Sequence, residues 1–133
     1  METMTLRVDT SRRWLADLTP EADAFCRGRG DGLVNVFAPH ATAGVALLEL
    51  GAGSEDDLGE LLERLLPRDD RYRHAHGARG HGADHVLPAI VSPSINIPVI
   101  DGRMALGTWQ SLVLVDTNTD NPTRTVRLSF LSG

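Results

Sequence analysis

The chain has 133 residues, a net charge of −5 and 41% hydrophobic residues, which fits one folded domain and argues against disorder. Its single cysteine, Cys26, excludes an internal disulfide, and no basic leader with a following apolar run, nor any apolar stretch of about 18 residues, marks export or a membrane span. All thirteen basic residues are arginines, which rules out Schiff-base and P-loop lysines, and the acidic balance offers no basic footprint for nucleic acid. The expectation is therefore a cytoplasmic protein without a nucleic-acid or membrane partner. Any anion it binds must be held by arginine, histidine, backbone N–H groups or a metal.

Met4, Leu6 and Val8 alternate with polar residues, which predicts a half-buried strand. Residues 11–18 carry no clear period. Thr19-Pro20-Glu21 reads as a helix start with Thr19 as N-cap, and Gly28 as its stop; Ala22, Phe25 and Cys26 would face the core. Leu33 to Phe37 and Gly44 to Leu50 are apolar runs between glycine and proline signals, hence strands. Both faces of the second run are apolar, so it should be covered on both sides. In Ser54 to Leu66, the leucines 58, 61, 62, 65 and 66 form a helical stripe, with Ser54 and Asp57 as a cap and Pro67 as a stop.

Residues 68–84 are polar and rich in Gly, Arg and His, and read as a long loop leading into a short helix over 85–91. Ile95, Ile97 and Val99 alternate as a strand that Pro98, unable to donate to a ladder, confines to an edge or a bulge. Asp101-Gly102 is a turn signal. Leu106 to Val115 and Thr123 to Leu131 are the last strands, joined by a turn over 117–122. This order predicts an α+β domain over 1–133, with a mixed, mostly antiparallel sheet and two or three helices.

Four of the five histidines lie between 74 and 85. His74-x-His76 places two rings on one side of an extended segment. His81-x-x-x-His85 would place two on one helix face, although Gly80 and Gly82 weaken a helix there. His40 stands between two strands. Three neutral imidazoles with one open position suit a catalytic metal; a solvated loop that happens to contain histidines is the plainer reading. The His40-Ala41-Thr42-Ala43-Gly44 segment would let backbone N–H groups approach an anion, or is simply a tight turn into a strand. Glu49 closes an apolar strand, and either meets a ligand or has reached solvent. Trp109 and Gln110 would stack on and bond to a ring, or Trp109 is core. Arg103 would clamp a phosphate or is an ordinary surface charge.

Taken together, His40-Ala41-Thr42-Ala43-Gly44-Val45, Glu49, Tyr72-Arg73-His74, His85, Ile97-Pro98-Val99-x-Asp101-Gly102-Arg103 and Leu106-Gly107-Thr108-Trp109-Gln110 resemble the YjbQ family in order and spacing. The likeness runs from about residue 32 to the C-terminus. The resemblance implies a YjbQ-like α+β sandwich that assembles as a homotrimer. It also implies a polar pocket in which His40, His74 and His85 hold a divalent metal, zinc or magnesium. Catalytic roles would fall to His40, Glu49 and His85, and a phosphorylated small molecule would meet Thr42, Gly44, Arg103, Trp109 and Gln110. The activity implied is a secondary thiamine-phosphate synthase: transfer of a pyrimidine-methyl group from its pyrophosphate to a thiazole phosphate. The alternatives are a metal-dependent small-molecule hydrolase and a non-catalytic trimeric ligand-binding protein. Ala41, the absence of an acid between Leu50 and Gly53, Ala75 and Asp116 depart from the family pattern.

Overall fold

In the computed structural model, the described residues are 1–11, 13–118, 120 and 122–133. The turn expected over 117–122 includes Thr119 and Asn121, which lie outside them.

Eight strands and three helices follow one another among these residues: β1 (Glu2–Asp9), β2 (Leu15–Asp17), α1 (Thr19–Cys26), β3 (Gly32–Phe37), β4 (Ala43–Leu48), α2 (Ser54–Leu65), α3 (His81–Ile90), β5 (Ser94–Ile100), β6 (Arg103–Met104), β7 (Ser111–Asp116) and β8 (Thr123–Ser132). They form a five-stranded sheet, β1-β8-β3-β5-β6, and a three-stranded sheet, β2-β7-β4. Every described pairing is antiparallel. The fold is the expected α+β class.

The period of two explains the layering. Val34, Val36, Val126, Leu128 and Phe130 point from the large sheet into a core shared with Leu112, Leu114, Val45 and the buried face of α1. The opposite face of the small sheet, Val113, Val115, Ala46 and Leu48, packs on Leu62 of α2 and Leu87 of α3. The small sheet is thus covered on both sides, as the two apolar faces of β4 predict. Cys26 is fully buried in the main core.

Local chemistry moves some boundaries. Thr19 is the first residue of α1, not its cap; Leu18 takes that position, and the Thr19 hydroxyl accepts a 2.8 Å hydrogen bond from the Leu112 N–H. The N-cap of α2 is Gly53 at φ +101°, and Ser54 makes no capping bond. Leu58, Leu62 and Leu66 of the predicted stripe pack inward, whereas Leu61 and Leu65 are exposed. Strand β7 begins at Ser111 rather than Leu106, because residues 107–110 form a turn in which Gln110 Oε1 accepts the Gly107 N–H at 2.8 Å. Strand β2 has three residues and exists through its pairing with β7. No described helix is long and apolar enough to cross a membrane.

Candidate metal centre

Helix α3 begins at His81, four residues before the expected start. The glycines that weaken a helix on propensity are required here by close approach. Gly80 has φ +79°, and a Cβ on it would lie 2.7 Å from Arg68 Cα. A Cβ on Gly82 would lie 2.4 Å from Tyr72 Cβ and 3.0 Å from the His74 carbonyl oxygen. The bare first turn of α3 therefore lets residues 72–74 lie directly against it. Tyr72 fastens that segment by donating its hydroxyl to the Pro67 carbonyl at 2.8 Å, and burial raises its pKa.

Four imidazoles gather at this point. His81 and His85, one helical turn apart, bring their Nε2 atoms to 2.9 Å. His74 stacks on His85 with ring centroids 4.0 Å apart, and His76 lies 4.0 Å from His74. One ring nitrogen from each of His74, His81 and His85 falls within 4.8 Å of the others. His74 Nδ1 and His81 Nδ1 are buried without a hydrogen-bond partner. Burial, followed by His74, His81 and His76, holds His85 below the ordinary histidine range, with Asp84 opposing the shift. The cluster opens on a cavity of about 440 Å³ whose walls include Asp69, Tyr72, His76 and Arg79.

Beneath His81 lies the fully buried Asp84. Arg68 binds both of its oxygens, with a 3.0 Å bond from Nη2 to Oδ2, and the Thr117 hydroxyl donates to Oδ1 at 2.7 Å. The carboxylate raises the Arg68 pKa. Its Oδ2 lies 3.5 Å from His81 Nδ1, and Asp120 Oδ2 lies 3.7 Å from the same nitrogen.

The residues predicted from sequence divide. His74 and His85 meet in the cluster, joined by His81. His40 is not part of that group: the Thr125 N–H donates to its Nε2 at 3.0 Å, tying the β3–β4 connection to β8. The Thr42 hydroxyl donates to Asp116 Oδ1 at 3.2 Å, so it serves a buried ion pair with Arg124. Gly44 lies within β4, where a Cβ would sit 2.1 Å from the Val91 carbonyl oxygen; the glycine answers a close backbone approach. Register separates the rest. Ala43 pairs with Asp116 at one end of β4 and β7, and Leu48 pairs with Ser111 at the other. The cluster adjoins the first end, through Thr117. Glu49, Trp109 and Gln110 continue from the second end, all exposed, with Trp109 at 72%. Arg103 is exposed in β6, beside a cleft lined by Asp23, Arg27 and Gly28. Asp84, Arg68 and Thr117 escape sequence reading because their contacts span 16 and 33 positions. For His81, the spacing to His85 is itself the signal.

Comparison with known proteins agrees with this architecture. The family described as UPF0047 protein YjbQ-like matches residues 3–133. A UPF0047 protein of Mycobacterium tuberculosis is 65% identical over 133 residues, covering 100% of both chains. The crystal structure of a hypothetical protein from Aeropyrum pernix superposes with a TM-score of 0.89 at 33% identity, covering 100% of each chain. A YbjQ-like protein of unknown function from Sulfolobus solfataricus shares the fold with a TM-score of 0.91 at 21% identity, over 99% of this chain and 97% of that one.

Proposed function

This chain belongs to the YjbQ-like UPF0047 family, and from that premise we propose that it is a metal-dependent enzyme acting on a small polar molecule, with His74, His81 and His85 as the ligands. The observation that carries the reading is the convergence of three ring nitrogens within 4.8 Å, with His74 Nδ1 buried and lacking a hydrogen-bond partner. A buried unpaired polar atom costs about 1–3 kcal/mol, so a partner bound beside His74 would be stabilising. An all-imidazole donor set suits zinc, whereas magnesium selects oxygen ligands. Held by these three nitrogens, zinc would supply a Lewis acid and lower the pKa of a bound water to about 7.

The chain's own groups fit hydrolysis of a small substrate. The neutral form of His85 is favoured by its surroundings, so it is ready to ligate at neutral pH. His76, exposed and 4.0 Å from His74, is placed to carry a proton between the centre and solvent. Glu49, for which the resemblance implies a catalytic role, lies just past the far end of β4. Exposed Arg73, adjoining His74 in the chain, provides a cation for a phosphorylated substrate.

The test is metal analysis of protein purified without affinity-tag metals, then hydrolysis of phosphate and carboxylic esters with and without chelator. One zinc per chain, lost in His81→Ala and His85→Ala, is the expected result. Failure to bind zinc at micromolar concentration overturns the reading.

Thiamine-phosphate synthesis is the second reading, and the motif resemblance favours it. Its phosphate clamp Arg103 and its ring contacts Trp109 and Gln110 are exposed and open to a ligand. Trp109 and Gln110 adjoin the opposite end of the small sheet from the histidines, and Arg103 lies in β6 of the large sheet. A homotrimer is proposed with it, supported by Leu33, Phe37, Ile100 and Leu131, which share the outward face of the large sheet and are all exposed. Product formation from both substrates and a divalent ion, absent in His85→Ala, would support this activity; no product from the wild type would remove it.

A further inference from the structure

Asp84 plays no part in the sequence motifs, yet its surroundings are unlike those of an ordinary ion pair. An ionised carboxylate with no exposure needs its lone pairs satisfied. Oδ1 accepts from Arg68 and from Thr117, while Oδ2 accepts from Arg68 alone. The spare capacity of Oδ2 faces His81 Nδ1 at 3.5 Å, and that nitrogen is buried without a partner. The two unmet needs are complementary: an acceptor short of a donor, and a ring nitrogen short of an acceptor.

The opposite edge of the ring fixes which nitrogen should carry the proton. His81 Nε2 faces His85 Nε2 at 2.9 Å, within the group of ligand nitrogens. A ligating nitrogen must be unprotonated, so the ring's proton belongs on Nδ1, where a carboxylate can receive its hydrogen bond. Two carboxylates are near. Asp120 is 53% exposed and screened by water, whereas Asp84 is buried and held by groups from two other segments.

We propose that Asp84 is the positioning residue of the metal centre: clamped by Arg68 and Thr117, it holds His81 in the Nδ1–H tautomer with Nε2 turned toward His85 and the metal. This rests on the reading of His74, His81 and His85 as ligands. Asp84 touches no reacting atom; it acts through His81. Metal binding at Nε2 would draw the ring so that the 3.5 Å contact tightens to hydrogen-bond distance.

The experiment pairs zinc titration against a chromophoric chelator with imidazole nitrogen NMR of the apo protein, in wild type, Asp84→Asn, Thr117→Val and Asp120→Asn. Asp84→Asn should weaken zinc about 10–100-fold and shift His81 away from the Nδ1–H form. Thr117→Val, which leaves the Arg68 clamp intact, should weaken zinc by a smaller factor, and Asp120→Asn should leave affinity within about twofold. If Asp84→Asn fails to fold, Thr117→Val decides through the same two measurements. A folded Asp84→Asn that binds zinc like wild type, or a wild-type His81 protonated on Nε2, overturns the proposal. If the wild type binds no zinc, the metal reading falls by itself, and the His81 tautomer still tests what Asp84 does.

Discussion

Two buried carboxylates, Asp116 and Asp84, are built almost alike and lead to different ends. Each is paired with an arginine and accepts from a threonine hydroxyl: Arg124 and Thr42 for Asp116, Arg68 and Thr117 for Asp84. The Asp116 pair is sealed, with side-chain exposures of 2% for Arg124 and 0% for Asp116. Asp116 also receives the Asn118 N–H at 2.9 Å. The Asp84 pair is open on one side: Arg68 is 41% exposed and lines a cavity of about 280 Å³ with Trp14, Leu62 and Leu66. On its other side, Asp84 faces His81 Nδ1, a buried ring nitrogen without a hydrogen bond. The sealed pair joins β7 to β8 and the β3–β4 connection. The open one joins a scaffold to a site.

The largest expected effect tests the sealed pair. Asp116→Asn leaves Arg124 buried without its counter-ion and should cost about 3–5 kcal/mol, read by chemical denaturation. Zinc affinity of the fraction that remains folded should not change. A loss below about 1 kcal/mol would mean the pair is not the tie described. Asp84→Asn should cost less, about 1–3 kcal/mol, because Arg68 can turn to water. A larger loss there than at Asp116 would reverse the contrast.

Gly44→Ala probes the link between the sheet and the site-bearing helix. Its Cβ meets the Val91 carbonyl at 2.1 Å, so overpacking of about 1–3 kcal/mol is expected, together with weaker zinc binding. The pH dependence is smaller. His85 binds a proton less readily in the folded chain than in the unfolded one. Its contribution is therefore intact above about pH 6.5 and destabilises the fold as pH falls through that value. Melting curves of the apo protein should show this acid sensitivity, and His85→Ala should flatten it. Trp109→Ala marks the lower limit: an exposed side chain at the far end of β7 should change stability by no more than about 0.5 kcal/mol. A fall in zinc affinity in that variant would show that assembly joins the two ends.

Much of the fold was legible because periodicity reports burial directly. Strands β3, β4 and β8 and helices α1 and α2 follow from alternation, apolar stripes and stop residues. Strand β2 was not, since three residues carry no period and the strand is defined by its partner. The start of α3 was missed because propensity disfavours Gly80 and Gly82, whereas packing against Arg68 and Tyr72 demands them. In the site, His74 and His85 were legible from composition and resemblance. His40 was grouped with them, but its ring contacts a residue 85 positions away. No local pattern announces such a contact, nor the pairing of Asp84 with Arg68.

The missing side chain at Gly44 has a reach beyond its own strand. Where the last turn of α3 gives way to Val91, the main chain rests on bare backbone of the small sheet. Hydrophobic contacts can slide by a rotamer, but two main chains in contact leave no slack to take up. Helix α3 is thereby seated at its C-terminal end as if on a machined stop. Errors in the pitch or azimuth of the helix would be amplified along its length and felt as misalignment of the rings at its first turn. One atom-poor position in β4 thereby helps to seat the helix that carries His81 and His85.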